Sequence, residues 1–390
     1  MKDIIVLTGA TAVGKTELSL DLAAQINAEI ISVDSMQIYQ EMNIGTAKAS
    51  ESERAKINHH LIDFVSPEAD YSVSQFQEEC DRLIFEIKAE GKMPLLVGGT
   101  HLYLRAVLEG FMLPEIEPDY ELRHRLEKLA ESKGTEAVHK ILAAKDAAAA
   151  KKLHPNDLRR VIRAIEIYKQ TGKSKSFYKK KQKERSPRYS AFKFALIRSR
   201  ENLYQRINKR VDLMMEQGLL DEVESLLDKY ESLSDTAHQA LGYKELISHL
   251  KGKISLEEAV HEIKKRSRHF AKRQLTWLRK EDDLIVFNIE KEDKSEILNT
   301  MIQLIKGEKK IMNKNTKKEK KLISSGDEFD KLLEEKDAFF VLFSNDDCGY
   351  CQLAEKNINQ VIDSFPELKL YQLKLTDAPE IFKRYDINSL

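Results

Sequence analysis

Eight residues near the start of the chain combine two glycines, a lysine and a threonine at the spacing of a phosphate-binding loop (P-loop): Gly9, Ala10, Thr11, Ala12, Val13, Gly14, Lys15 and Thr16. The glycines let the backbone curl so that its N–H groups point at phosphate oxygens. Lys15 would neutralise phosphate charge, and the Thr16 hydroxyl would ligate Mg²⁺. An ordinary strand–helix turn is the alternative, but it does not explain these residue types at these offsets. The motif therefore predicts a polyphosphate ligand without identifying it.

Two further polar segments each follow an apolar run. Asp34 follows Ile30–Val33, and Gly98–Thr100 follows Pro94–Val97. Ligands bind at the carboxyl ends of strands in open α/β sheets, so both segments are expected to face the crevice of the P-loop. Asp34 would then hold Mg²⁺ through water or act as a general base, although an aspartate that only caps the following turn is a third possibility. The Thr100 hydroxyl can bond a ligand, but a glycine turn by itself is equally typical of a plain tight turn.

These residues need a parallel sheet to position them, and the pattern of apolar runs predicts one. The runs predicted as buried strands are Ile4–Leu7, Ile30–Val33, Pro94–Val97 and Phe192–Ile197. The segments predicted as helices are Val73–Lys88, Glu201–Leu250 and Leu256–Lys280. We therefore predict an α/β core from residues 1–113 and 191–305, into which residues 114–190 insert a helical subdomain.

Composition sets broad limits. The chain has 390 residues, of which 42% are hydrophobic and 33% charged, and no apolar run approaches the roughly 20 residues of a membrane span. We expect no signal peptide, because the apolar run Ile4–Leu7 is too short for one, and with only three cysteines the sequence predicts a cytoplasmic protein. The net charge of zero hides an asymmetry, because residues 323–390 carry 14 acidic and 7 basic side chains and residues 1–322 carry 50 and 57. This split predicts two units with different partners.

A series of motifs in order resembles the bacterial tRNA dimethylallyltransferase family over residues 1–305. The motifs are Gly9–Thr16, Asp34–Tyr39, Gly45–Lys48, His59–Asp63, Tyr71–Val73, Gly98–Tyr103, His154–Asp157 and Lys272–Arg279. The resemblance implies a P-loop NTPase-like parallel sheet and transfer of a dimethylallyl group from its diphosphate to N6 of adenosine 37, next to the anticodon. The departures from the family pattern are Ala10 for Pro, Asn43 for Asp, Ala49 for Pro and His101 for Gly. His101 places a side chain in a loop that usually has none.

The chemistry of this transfer assigns roles to the residues above. Lys15, the loop N–H groups and Mg²⁺ bound to Thr16 would stabilise charge on the departing diphosphate. Arg206 and Arg210 are four residues apart on one predicted helix face and can add guanidinium contacts, although a solvated arginine is an equal alternative. Asp34 would accept the proton of the adenine amine, and Thr100 would help to fix the base.

The target adenine must leave its stack, so the protein must grip the RNA on both sides. Three basic clusters, around Arg159–Arg163, Lys173–Arg188 and Lys264–Arg279, fit this need, whereas any one of them alone is typical of a solvated face. The residues for which we expect contacts with the tRNA anticodon stem-loop are Asp34, Ser35, Met36, Gln37, Thr100, Arg123, Arg159, Arg160, Arg163, Lys272, Arg273, Trp277 and Arg279. The expected partners are this tRNA and dimethylallyl diphosphate; we expect no membrane, and a monomer.

Three other functions are compatible with parts of the sequence. A P-loop small-molecule kinase would share the P-loop and Asp34, but it needs a nucleotide lid rather than basic helices with Trp277. A non-catalytic RNA-binding protein would use the basic clusters alone. A redox protein would depend on the C-terminal segment.

The C-terminal segment has its own pattern. Lys306–Leu322 is rich in lysine and poor in apolar residues, which predicts a linker. Residues 323–390 resemble the first half of a thioredoxin-like domain, since Cys348 and Cys351 form a C-x-x-C motif between a predicted strand and helix. Asp346 and Asp347 replace the usual aromatic and oppose thiolate formation. The elements predicted here are a helix at Phe329–Leu333, a strand at Ala338–Phe343 and a helix at Gln352–Phe365.

Overall fold

The chain forms two units, residues 1–308 and 309–390. A computed structural model describes residues 2–112, 114, 116–281, 283–308, 321–334, 339–344 and 369–385. Within these ranges, no helix has both the length and the apolar character that crossing a bilayer requires.

The first unit contains a six-stranded parallel sheet. Its strands are β1 (Ile4–Gly9), β2 (Ala28–Val33), β3 (His59–His60), β4 (Met93–Gly98), β5 (Ala191–Ile197) and β6 (Leu284–Asn288). Their spatial order is β3-β2-β4-β1-β5-β6. Every residue of β1 and β2 is buried, as expected for strands covered on both faces. The α/β class is confirmed, and so is the return of the predicted strand at residues 192–197, which pairs with β1.

The order and register of the strands bring the polar loops together. β1 and β2 both pair with β4, and Thr8 and Val33 both lie opposite Gly98. The three strands therefore end at the same level, and the segments that follow them leave the sheet side by side. This is why the P-loop, Asp34 and the Gly98–Thr100 turn share one edge.

Fifteen helices are described in the first unit. They are α1 (Lys15–Ile26), α2 (Glu51–Lys56), α3 (Val73–Ala89), α4 (His101–Glu109), α5 (Tyr120–Lys133), α6 (Thr135–Lys145), α7 (Ala147–Ala150), α8 (Leu158–Thr171), α9 (Lys175–Lys183), α10 (Arg200–Glu216), α11 (Leu219–Lys229), α12 (Asp235–His238), α13 (Tyr243–Leu250), α14 (Leu256–Leu278) and α15 (Lys294–Lys306). Capping boxes at Ser72 and Ser255 begin α3 and α14. These two helices correspond to the predicted helical segments Val73–Lys88 and Leu256–Lys280.

The stretch Glu201–Leu250 does not form one long helix, contrary to expectation. It contains the four helices α10 to α13. Gly218, with φ +93°, separates α10 from α11, and Gly242, with φ +97°, precedes α13. Glycine adopts these backbone angles easily, and they end a right-handed helix. The spacing of apolar residues continues across both glycines, so it does not reveal where the helices break.

The predicted insertion is helical and has an apolar cluster of its own. Helices α5 to α9 lie between β4 and β5 in the sequence. Leu126, Val138, Leu142 and Val161 are among the buried members of the cluster they form. The domain boundaries given above stay predictions.

The second unit contains a three-stranded parallel sheet. Its elements are β7 (Lys321–Ile323), α16 (Gly326–Glu334), β8 (Phe339–Ser344), β9 (Lys369–Lys374) and α17 (Pro379–Arg384), with the strand order β7-β9-β8. The predicted helix near Phe329 and the strand before Ser344 are present. Cys348, Cys351 and the predicted helix Gln352–Phe365 lie outside the described residues, and the resemblance to a thioredoxin-like fragment stays a prediction.

Candidate active site

The P-loop joins β1 to α1 and requires both of its glycines. Gly9 has φ +153°, and a Cβ there would lie 2.8 Å from the carbonyl oxygen of Leu196 on the neighbouring strand. Gly14, with φ +111°, is the N-cap of α1. The helix N-terminus and the loop N–H groups therefore meet at one point, which is the arrangement that binds phosphate.

Lys15 folds back over this loop. Its Nζ donates to the carbonyl oxygens of Gly9 and Ala10, both at 3.0 Å. Burial, with a further contribution from the nearby charge of Arg210, lowers the pKa of Lys15 to about 8, whereas Asp34 opposes the shift. An ammonium group with little water and a depressed pKa gains strongly from an arriving anion.

A cavity of about 560 Å³ lies in front of the P-loop. This volume is within the range of small-molecule sites. Its lining includes Thr11 to Thr16, Asp34, Gln37, Arg206, Arg210, Phe270 and Gln274. The structure thus brings together the residues predicted to bind diphosphate, although Arg206 lies almost two hundred positions from the loop in the sequence.

Three arginines, one directly after β5 and two on α10, lie near the loop. Arg206 Nε donates to the carbonyl oxygen of Ala12 at 2.9 Å. Arg210 is half-buried, and this burial lowers the pKa of its guanidinium while Asp34 raises it. Arg198 was not predicted from the sequence, yet its Nε donates to the carbonyl oxygen of Val13 at 2.9 Å. The signal was present, because this arginine follows the carboxyl end of a strand, as Asp34 does.

The carboxylate of Asp34 has two different sides. Its Oδ1 accepts the backbone N–H groups of Met36 at 2.9 Å and Gln37 at 3.4 Å. Among the described residues, no group donates to Oδ2. Asp34, which lines the cavity, therefore caps the turn with one oxygen and leaves the other without a hydrogen bond to the described residues.

A second cavity, of about 320 Å³, meets the first at Asp34. Asp34, Thr11, Thr46, Arg210 and Phe270 line both cavities. The rest of the second lining includes polar residues, among them Ser35, Thr100 and Arg273, and apolar residues, among them Met36, Ile207, Val211, Met214, Leu219 and Ile263. The Thr100 hydroxyl accepts the backbone N–H of Ser35 at 3.3 Å. One cavity is thus rich in cations, and its neighbour offers an apolar wall with hydroxyl groups.

Gln274 holds these loops together and was not predicted as a site residue. Its Oε1 accepts the N–H of Thr11 at 2.8 Å, and its Nε2 donates to the carbonyl oxygen of Gly99 at 3.0 Å. A Cβ on Gly99 would lie 2.3 Å from that Nε2, so the turn needs glycine for this approach. The signal available in the sequence was an uncharged glutamine within the basic run of α14.

His101 fits the loop by packing beneath Trp277. The two rings are 6.1 Å apart and nearly parallel. Burial, with a further contribution from Lys15, lowers the pKa of His101 to about 4, and a hydrogen bond with Gly99 opposes this. The imidazole is therefore neutral at pH 7. Its Nε2 is buried without a partner among the described residues.

The predicted RNA contacts on α14 are exposed. Trp277 is 41% exposed, and the guanidinium of Arg105 lies 5.4 Å from the centre of its ring. Lys272, Arg273 and Arg279 are also exposed. This helix therefore offers cations and one aromatic face beside the second cavity.

The predicted arginines of the insertion divide into two pairs. Arg123 donates to both oxygens of the fully buried Glu166, at 2.9 and 3.1 Å, and Arg163 donates to one of them at 2.5 Å. Arg160 forms an exposed ion pair with Asp157, and Arg159 is exposed. Arg159 and Arg160 are exposed and available to RNA. Arg123 and Arg163 both bond to Glu166, and Arg123 thereby joins α5 to α8.

Comparisons with known proteins agree along most of the first unit. A family model described as IPP transferase matches residues 37–281. The chain is 52% identical to a tRNA dimethylallyltransferase of Halothermothrix orenii, over 77% of this chain and 92% of that protein. It is 47% identical to a protein of the same name from Carboxydothermus hydrogenoformans, over 77% of this chain and 96% of that protein.

Solved structures give the same result. A tRNA isopentenylpyrophosphate transferase of Bacillus halodurans is 41% identical and has a TM-score of 0.58, covering 79% of this chain and 98% of its own. A eukaryotic dimethylallyltransferase acting on tRNA is 31% identical and has a TM-score of 0.67, covering 80% of this chain and 81% of its own.

Proposed function

Because the chain belongs to the IPP transferase family, we propose that it transfers a dimethylallyl group from dimethylallyl diphosphate to N6 of adenosine 37 in tRNA and releases diphosphate. The observation that carries this proposal is the pair of cavities that meet at Asp34. One is suited to a diphosphate and the other to an apolar group and a base. The carboxylate at their junction is the group that the transfer requires.

The donor diphosphate binds in the first cavity. Lys15, Arg206, Arg210 and the loop N–H groups surround it and stabilise the negative charge that grows on it as the bond between its oxygen and the allylic carbon breaks. Mg²⁺, where bound, supplies further charge neutralisation. The Thr16 hydroxyl lines this cavity and suits the ion, which takes few protein ligands beside phosphate oxygens and water. Among the described residues, no group of three acidic, histidine or cysteine side chains could hold a metal.

The acceptor adenine enters the second cavity. Its N6 forms the new bond to the allylic carbon while the carbon–oxygen bond to diphosphate breaks. One N6 proton passes to Oδ2 of Asp34, which increases the nucleophilicity of the otherwise weakly nucleophilic amine. Thr100, whose hydroxyl lies beside Ser35, helps to orient the base.

The adenine reaches this cavity only after it leaves its stack, so the stem-loop must be held on both sides. Ser35, Met36 and Gln37 would contact the flipped nucleotide. The cations and Trp277 of α14, together with the four arginines of the insertion, would contact phosphates and neighbouring bases. We propose that the protein acts as a monomer in the cytoplasm, on this tRNA and on dimethylallyl diphosphate.

One incubation tests the proposal. The protein is mixed with Mg²⁺, dimethylallyl diphosphate and unmodified tRNA, and the digested nucleosides are weighed by mass spectrometry. We expect adenosine that carries one dimethylallyl group, formed only when all components are present. Phosphoryl transfer from ATP to a small molecule, without prenylation, would identify a kinase instead. Tight RNA binding without transfer would identify a binding protein.

A further inference from the structure

Glu222 on α11 accepts a set of hydrogen bonds for which the transfer chemistry gives no reason. Its Oε2 accepts the backbone N–H groups of Asn43 at 2.9 Å and Ile44 at 2.8 Å. Its Oε1 accepts the N–H of Gly45 at 3.2 Å and the hydroxyl of Tyr243 at 2.6 Å. Each carboxylate oxygen therefore receives two donors, and bonds to a charged acceptor are stronger than neutral ones.

The segment that Glu222 binds is a wall of the active site. Thr46 lines both cavities and Ala47 lines the first. Their carbonyl oxygens accept the side-chain Nε2 of Gln37, both at 3.2 Å. Gln37 in turn donates its backbone N–H to Asp34 at 3.4 Å. The bonds of Glu222 thus lead through one short loop to the proposed base.

The fourth donor belongs to a different segment of the chain. Tyr243 is fully buried and is the first residue of α13, and the preceding residues 239–242 line the second cavity. A Cβ on Gly45 would lie 2.5 Å from the Tyr243 ring, so the loop and the ring are already in close contact. Glu222 therefore joins two segments that both belong to the lining of the second cavity.

We propose that Glu222 is a positioning residue that fixes the shape of the second cavity by joining two segments of its lining, and so governs use of the tRNA acceptor rather than binding of the donor. The inference rests on the proposed function, because it assigns the second cavity to the acceptor. Lys15, Thr16 and Arg206 contribute to the first cavity and not to the second, and the hydrogen bonds of Glu222 to described residues do not include them. The donor diphosphate should consequently bind equally well when Glu222 is changed.

The experiment separates the two substrates. We expect Glu222→Ala to lower kcat/KM for the tRNA stem-loop by about tenfold or more, because four donors lose their acceptor. The Kd of dimethylallyl diphosphate, measured by calorimetry without tRNA, should stay within about threefold of the wild type, since the first cavity keeps its cations. Glu224→Ala, an exposed change on the same helix, is the matched control and should alter neither value.

Two further variants test the geometry. Glu222→Gln should be as impaired as Glu222→Ala, because the amide NH₂ must face two donors whichever way it turns. Tyr243→Phe removes one donor of four and should give a smaller loss in the same direction. Thermal unfolding of each variant accompanies the kinetics, and if Glu222→Ala does not fold, Tyr243→Phe carries the test with the same two measurements.

Several results would overturn the inference. One is a wild-type kcat/KM for tRNA in Glu222→Ala. Another is a Kd for dimethylallyl diphosphate that rises by the same factor as kcat/KM for tRNA falls. The third is a wild-type kcat/KM for tRNA in Glu222→Gln. Each of these requires that the wild type transfers the group. A wild type that transfers nothing would instead defeat the proposed function, so the two failures are distinguishable.

Discussion

The two oxygens of the Asp34 carboxylate have different surroundings, and this separates its structural task from its chemical one. Oδ1 caps the turn that begins the Asp34–Gln37 segment, whereas Oδ2 has no donor among the described residues. If the residue at this position only capped the turn, asparagine would serve as well as aspartate. The position of Asp34 between the two cavities gives the second oxygen its proposed use as a base.

Asp34→Asn should therefore abolish catalysis without disturbing the fold. The asparagine keeps an oxygen for the turn but cannot take a proton, so we expect the single-turnover rate to fall by about 10²- to 10⁴-fold. The Kd for tRNA, measured by filter binding, should change little. Unchanged turnover in this variant would remove Asp34 as the base.

Lys15 predicts a pH dependence of donor binding. Its pKa in the empty site is about 8, so it is charged at pH 7 and mostly neutral at pH 9. A bound diphosphate favours the charged form, and we expect the donor Kd to weaken about tenfold between pH 7 and pH 9. Calorimetry at both pH values measures this. Lys15→Met should bind weakly at both, and a pH dependence that persists in this variant would assign it to another group.

At the scale of elements, α14 is attached to the phosphate-binding edge of the sheet through Gln274. Its amide satisfies the N–H of Thr11 and the carbonyl oxygen of Gly99 from one buried position. Gln274→Leu keeps the volume but removes both bonds, and we expect the free energy of unfolding to fall by about 1–3 kcal/mol. Urea titration measures this fall. The exposed change Lys272→Ala on the same helix should stay within about 0.5 kcal/mol of the wild type, and equal losses in both variants would contradict the role of Gln274.

The helical insertion separates stability from RNA binding. Arg159→Ala should reduce the salt dependence of tRNA affinity by about one phosphate contact and leave thermal unfolding unchanged, because Arg159 is exposed. Arg123→Ala removes two bonds from the buried Glu166 and should lower the free energy of unfolding by about 1–3 kcal/mol. Filter binding at several salt concentrations and urea titration measure the two effects. A stable Arg123→Ala variant would show that Arg163 and the backbone N–H of Asp119 satisfy Glu166 without Arg123.

For the whole molecule, every residue of the proposed site lies in the first unit. The described part of the second unit has its own apolar cluster, which includes Ile323, Phe329, Leu373 and Phe382. A chain that ends at Glu308 should therefore fold and keep kcat/KM for tRNA within about twofold of the full chain. Transfer assays on both chains at equal concentration measure this. An insoluble or inactive shortened chain would show that the second unit is required.

The sequence by itself predicted the features that depend on neighbouring residues. The P-loop follows from glycines at fixed offsets, β1, β2, β4 and β5 from short apolar runs, and the position of Asp34 from the rule that ligands bind at the ends of parallel strands. β6 was not predicted, although the apolar run Leu284–Phe287 carries its signal. The breaks between α10 and α13 were missed because a helix can stop at a glycine while the apolar period continues.

Tertiary structure alone decided which distant groups meet. Gln274 lies 263 residues from Thr11, Arg198 lies 185 residues from Val13, and Glu222 lies 179 residues from Asn43. Nothing local marks these pairs, because each depends on strand order and on where α10, α11 and α14 pack. The sequence determines the chemistry of each side chain, but its distant hydrogen-bond partner is determined only when the sheet brings separate strand ends to one edge.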